Sequence, residues 1–483
     1  LTTPFCERNL RPLWKSIQPA TWRDRRAAPE PFGGNIAMTI LPFLRGRGFA
    51  RPLAQACADT DAPKPIPSEL SVIRLPADHY LHRDAPTEWW WHIGTLKAGE
   101  RVFGFEINAA SFQGRGFGFS QIMLTDVAAQ KHYQRTTTFT PPAGYDPATW
   151  AEHDVNRDWR VRLGDPNSRL TAIKVTSPGS GYDPVTTTVT VTGGGGSQAI
   201  AWPLVDPTTG AILSIQLTNP GRGYTSPPHI VINGKGSGAM AEAVHTYITM
   251  DAAWGDPTQN MAVVTKLTDD ATDTEIVFDL TMSQKGAPFV VWGTGVTQIL
   301  PPASGSHLQT GNYYYSLTNI AASGTITIDG EIFEVEGKTW MDHEYGFFGT
   351  AQNPVKWILQ NAQLDNGWSL SNHYVLSAGN PPPKPGEPVA CEVTLQDPEG
   401  RMYVVPGVMT AERPWTSPAS KVTYYLDYQL DIAGFDAVLN FKALVANQEF
   451  PLPTGSIYEG IASAEGSFQG RPATGTGWIE QAL

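Results

Sequence analysis

The apolar stretches of this chain are short, alternate in polarity and are cut by glycine, a pattern that leaves room for little except strands. In RVFGFEINAASF (residues 101–112), Phe103, Phe105 and Ile107 alternate with Val102, Gly104 and Glu106. That is the two-residue period of a strand with one buried face. FGFSQIMLTDV (117–127), TEIVFDLTMSQ (274–284), APFVVWGTGV (287–296) and GTITIDGEIFEV (324–335) are strand-like in the same way. The 47 glycines and 40 prolines supply turns between such runs and interrupt any long helix. The chain is read as all-β, with antiparallel pairing.

At 483 residues it exceeds what one hydrophobic core usually organises. Residues 1–66 are rich in proline and arginine, show no sustained period and read as a leader or mobile tail. A first β-rich lobe is expected over 67–300, with ILPPASGSH (299–307) as a linker, and a second over 301–483. An internal repeat interrupts the first lobe at 168–245. IKVTSPGSGYDPVTTTVTVTGGGGSQA (173–199) matches IQLTNPGRGYTSPPHIVINGKGSGA (215–239) element by element, with Tyr182 and Tyr224 at equivalent places. Neither copy is large enough to bury a face alone, so the pair is expected to form one small β module.

Several function classes are disfavoured at this level. The formal charge is −12 and the 34 lysines and arginines are scattered, so no basic stripe serves a nucleic acid. No apolar run approaches the length of a membrane-spanning helix, so any membrane contact would be peripheral. The glycine runs lack the G-K-[ST] ending of a phosphate loop, and no G-x-S-x-G elbow marks a serine hydrolase. Cys6, Cys57 and Cys391 are too few and too dispersed for a disulfide framework or a zinc cluster. Residues 38–57 end in Ala-Gln-Ala like a signal-cleavage site, but Arg45, Arg47 and Arg51 break the apolar stretch such a signal needs. Localisation stays open between secreted or periplasmic and cytoplasmic.

Two stretches concentrate aromatic and titratable side chains. In TEWWWHIGTL (87–96) an extended backbone puts Glu88, Trp90 and His92 on one face and Trp89 and Trp91 on the other. In TWMDHEYG (339–346) Trp340, Asp342 and Glu344 share one face, and Met341, His343 and Tyr345 the opposite one. A strand end or bulge near Asp342 would be needed to bring Asp342 and His343 into one cavity. An aspartic acid among indoles is held protonated by desolvation and can act as a general acid. Indole faces can stabilise a developing cation by about 0.5–2 kcal/mol each. The plainer alternative is aromatic packing and an Asp–His turn. Tyr314 and His373 could line the same cavity, although plain strand packing is the favoured reading for both. His92, His343 and His373 show no metal-ligand spacing, so no metal is expected.

TEWWWHIGTL, RVFGFEINAASF, NYYYSLTNIAASGTITIDGEIFEVEGKTWMDHEYG (312–346), LDNGWSLSNHYVL (364–376) and IYEGIASAEGSFQGRPATGTGWIEQAL (457–483), in that order, resemble the AttH and carotenoid 1,2-hydratase family. The resemblance implies two lipocalin-like (calycin-type) antiparallel β-barrel domains with an apolar pocket near their junction. It also implies chemistry of the kind its members perform: carotenoid and kievitone-type hydratases add water to a prenyl double bond without a cofactor, and fungal relatives act as Diels–Alderases. The acid of the W-x-D-H-like segment is implicated in protonation, which falls on Asp342. Trp340, His343 and Tyr345 become pocket residues on the same grounds. The glycine-rich insertion and the arginine-rich leader depart from the family pattern.

The leading expectation is a cofactor-independent hydratase of a terpenoid or prenylated alkene. Asp342 would protonate the double bond, Trp90 and Trp340 would face the cation, and His343 or Glu88 would orient water, with His92, Tyr345, Tyr314 and His373 as further lining. A polyene pericyclase or isomerase is the first alternative. A non-catalytic carrier of apolar ligands is the second.

Overall fold

The computed structural model describes residues 62–80, 82, 84–112, 117–139, 151–154, 158–163, 170, 172–222, 224, 228–244, 247–253, 258–259, 261–298, 307–349, 354–377, 379–452 and 455–483. Most of the expected leader, and the expected linker up to residue 306, lie outside these residues. Among the described residues helix is confined to three-residue 3-10 turns, and none is long and apolar enough to cross a membrane. The all-β reading holds.

Six strands precede the glycine-rich insertion: β1 (Thr87–Ala98), β2 (Arg101–Phe112), β3 (Phe117–Asp126), β4 (Lys131–Phe139), β5 (Ala151–Asp154) and β6 (Asp158–Leu163). The insertion holds β7 (Ala172–Ser180), β8 (Thr188–Thr192), β9 (Ser197–Val205), β10 (Ile212–Arg222), β11 (His229–Asn233) and β12 (Ser237–Val244). Next come β13 (Tyr247–Ala253), β14 (Met261–Thr268), β15 (Glu275–Gln284), β16 (Phe289–Val290), β17 (Val296–Gln298), β18 (Gly311–Ile328) and β19 (Glu331–Gly346). The remainder is β20 (Trp357–Leu364), β21 (Ser369–Val375), β22 (Pro388–Gln396), β23 (Met402–Thr416), β24 (Thr423–Ile432), β25 (Ala437–Ala443), β26 (Glu449–Leu452), β27 (Gly455–Phe468) and β28 (Arg471–Ala482).

The first sheet runs β4-β3-β2-β1-β19-β18-β15-β14-β13-β6-β5. It curls until the turn after β14 meets β4, where the Asp270 amide donates to the Gln134 carbonyl at 3.1 Å and the Gln134 amide donates to Asp269 Oδ1 at 2.7 Å. The result is a nearly closed barrel filled by Phe103, Phe105, Ile107, Leu124, Phe278 and Leu280, all fully buried. The expected division at residue 300 does not match the ladders, because β18 and β19 pair with β15 and β1 and the first barrel therefore extends to Gly346. A proline-rich stretch marks a break in pairing, and it does not say which sheet the next strand joins.

The second sheet is a closed eight-strand barrel, β25-β24-β23-β22-β21-β20-β28-β27, sealed by pairing of β25 with β27, with β26 alongside β27. Its outer face packs on the outer face of the first barrel. Gly104 of β2 lies so close to Ile461 of β27 that a Cβ there would sit 2.6 Å from the Ile461 side chain. Gln363 Nε2 donates to the carbonyls of Thr318 (2.7 Å) and Thr339 (2.8 Å), tying β20 to β18 and β19. The last five residues of the expected tail also join this assembly, since Ile66 bridges to Met402 through its backbone amide at 2.7 Å.

The insertion forms its own six-stranded sheet, β8-β11-β12-β7-β10-β9. Its two copies clasp each other: Tyr182 of the first lies against Gly236 of the second, and Tyr224 of the second against Gly196 of the first. It leaves the first barrel between β6 and β13, which pair with each other from Leu163↔Ile248 to Asp158↔Ala253. The module is thus a greatly extended hairpin loop.

Candidate active site

Strand alternation decides which functional side chains meet. β1 and β19 pair without a bulge, with Trp90 opposite His343, Trp91 opposite Asp342 and Ile93 opposite Trp340. Directly opposed residues share a face. Glu88, Trp90, His92, His343 and Tyr345 therefore point to the inside of the first barrel. Trp91, Trp340, Asp342 and Glu344 point outward, against the second barrel.

On the outward face Asp342 is buried, and its Oδ1 accepts hydrogen bonds from Ser316 Oγ (2.5 Å) and Trp340 Nε1 (2.7 Å), with the Tyr314 hydroxyl also bonded to it. Burial pushes its pKa up to about 6 in spite of these donors. Four further carboxyls occupy the same layer. Glu344 accepts from Asn312 Nδ2, and Glu106 accepts from Asn108 Nδ2 at 2.6 Å. From the second barrel, Glu480 accepts from Trp357 Nε1 at 2.6 Å and Glu459 from Trp478 Nε1 at 2.5 Å. Burial pushes Glu480 up to about 7, with the nearby Asp342 charge adding to it. It raises Glu106, Glu344 and Glu459 well above the ordinary range. Indole N–H groups from Trp340, Trp357 and Trp478 thus each hold one carboxyl while leaving it able to keep a proton.

Buried polar atoms in this layer remain without protein partners: Glu106 Oε2, Glu459 Oε1, both side-chain atoms of Asn361, Ser371 Oγ and His373 Nε2. A narrow cleft between the barrels, lined by Ile93, Trp340, Asn361, Gln363 and Trp478, opens beside them. Buried polar groups of this kind are normally satisfied, so their concentration here marks a place for water or a polar part of a ligand.

The inward face carries different chemistry. His343 Nε2 and His82 Nδ1 both contact Glu88 Oε1, at 3.0 and 2.8 Å. His343 Nδ1 lies 3.2 Å from the Tyr315 hydroxyl, which is 2.6 Å from His79 Nδ1. Burial works against charge on every one of these imidazoles; on His82 the hydrogen bonds its ring donates to the Asp78 and Glu88 carboxylates outweigh it and push the pKa up to about 9. Burial keeps His343 below its usual value and holds His92 down to about 3.

The sequence-derived residues therefore separate. Glu88, Trp90, His92, His343 and Tyr345 come together inside the first barrel. Trp340, Asp342 and Tyr314 come together between the barrels, where His373 joins them with its ring 5.8 Å from that of Tyr314. Asp342 does not converge with His343 or Glu88, nor Trp90 with Trp340, because β19 stays regular to Gly346 and consecutive residues take opposite faces. Sequence reasoning missed Glu480, Glu459, Glu106 and His82. The alternation of Trp478 and Glu480 in GTGWIEQAL and the His79–His82 spacing were the only traces.

An AttH-like family model matches residues 231–481, just over half of the 483-residue chain. Kievitone hydratase of Fusarium solani subsp. phaseoli is 22% identical over 222 residues, covering 44% of this chain and 58% of that protein. The chain thus spans little more than half the length of that curated relative. The solved structure of an AttH protein from Nitrosomonas europaea superposes with a TM-score of 0.52 at 16% identity, covering 85% of this chain and 96% of that one. Kievitone hydratase from Nectria haematococca gives a TM-score of 0.53 at 14% identity, covering 87% and 96%. With two adjoining barrels and a family match that runs from the insertion through the whole second barrel, the chain belongs to the AttH-like family.

Proposed function

We propose that the protein is a hydratase that adds water across a carbon–carbon double bond of a terpenoid or prenylated apolar substrate bound between the two barrels. The observation that carries this reading is Asp342: a buried carboxyl, bonded through one oxygen by Ser316 and Trp340, beside a second buried carboxyl, Glu480, contributed by the other barrel. The similarity to kievitone hydratase supports the reaction class.

Protonated Asp342 gives its proton to one alkene carbon, and the carbocation forms at the other. Nearby Trp91 and Trp340 offer aromatic surface to that charge. A water adds its oxygen to the cation and loses a proton to the Asp342 carboxylate, which restores the acid for the next turnover. Glu88 and His343, on the other side of the sheet, enter no step.

Incubation with a panel of prenylated phenols and acyclic terpenoids in heavy-oxygen water tests this. The expected result is one labelled hydroxyl per product, with Asp342→Asn lowering turnover by about 100-fold or more. Full turnover by Asp342→Asn removes the acid assignment. A cyclised product without label points to a pericyclase, and a ligand recovered unchanged to a carrier.

A further inference from the structure

We propose that His82, Glu88 and His343 form a binding site for a divalent first-row transition metal ion at the mouth of the first barrel. Two imidazoles and one carboxylate are a donor set that suits zinc, iron or cobalt and leaves coordination positions for water or a small ligand. Their donor atoms all lie within 4.8 Å of one another. The His82–Glu88 and Glu88–His343 separations are 2.8 and 3.0 Å. Metal bonds of about 2.0–2.2 Å at right angles put neighbouring donors about 3 Å apart. These two edges already have that spacing.

The surroundings are those of ligands held in place. His343 presents Nε2 to the site while Nδ1 contacts the Tyr315 hydroxyl, and Tyr315 in turn contacts His79. His82 presents Nδ1 while Nε2 faces Asp78 Oδ1 at 3.5 Å. A polar partner on the far ring nitrogen fixes the orientation of a metal-binding histidine. Glu88 Oε2 accepts the His82 backbone amide at 2.9 Å, which turns Oε1 toward both rings. Stacking completes the frame: Trp90 lies on His343 with ring centres 4.7 Å apart, and Tyr345 on His82 at 3.7 Å. The His82 side chain is 17% exposed while Glu88 and His343 are buried, so an ion has a way in past His82.

The inference does not depend on the hydratase reading, because the site lies on the other face of the sheet and its test uses no substrate. Full-length protein without a polyhistidine tag would be stripped with a chelator and titrated with Co²⁺ by visible absorption and with Zn²⁺ by calorimetry. The expected result is one equivalent bound, with the ligand-field bands of nitrogen and oxygen coordination. His82→Ala, at a partly exposed position, should weaken binding by about 100-fold or more in a protein that still melts cooperatively, though at a lower temperature because Glu88 loses a partner. His229→Ala, an exposed histidine of the insertion, should bind as the parent does. If Glu88→Gln fails to fold, His82→Ala still decides. Absence of stoichiometric binding by the parent, or binding by His82→Ala with unchanged affinity, overturns the proposal.

Discussion

Glu480 shows what burial of an acid does to a residue and to its protein. Its carboxyl is held by Trp357 Nε1, lies beside Glu459 of the same barrel and faces Asp342 and Glu344 across the layer between the barrels. With the pKa up at about 7, the folded protein keeps a proton that the unfolded chain releases near 4.5. The stabilisation is therefore complete below that lower value and is lost as pH rises through about 7. Thermal melts from pH 5 to pH 8 should fall by several degrees. Glu480→Gln should flatten that dependence and melt above the parent at pH 8. Equal slopes for the two proteins would show that the proton is held elsewhere in the layer.

At the scale of elements, the reciprocal tyrosine–glycine contacts of the insertion make a clear prediction. A Cβ on Gly236 would come within 2.4 Å of the Tyr182 ring. Gly236→Ala should therefore loosen the contact between the two copies, raising amide exchange across β7–β12 while both barrels stay protected. Exchange that rises equally in the barrels would show that the module does not unfold by itself. The repeat itself was legible because two copies of one turn motif sit in register along the chain. The faces of β1 and β19 were equally legible, since alternation needs only the identity of neighbours. What could not be read was pairing. Glu480 reaches Asp342 from the far end of the chain, and His82 reaches Glu88 from a turn that has no period. Long-range convergence of this kind leaves no local signal, and the bulge that would have united Asp342 with His343 is absent because every position from Thr87 to Gly94 pairs regularly with β19.

For the whole molecule, the insertion point matters more than the insertion. Because β6 and β13 are hydrogen-bonded neighbours, the ends of the module emerge side by side. Replacing residues 167–244 by a short glycine–asparagine turn should leave both barrels folded, with a melting temperature within a few degrees of the parent and unchanged binding of Co²⁺. Loss of the barrels' cooperative melt would show that the module supports them. The unbroken register of β19 with β1 has a further consequence. Asp342 and His343 are consecutive, and each serves a different side of the same wall. A one-residue register slip in that stretch would turn the aspartate inward and the histidine outward, exchanging the surroundings of both side chains at once. Either side of the wall can vary by substitution without altering the other, whereas a change of length in β19 alters both.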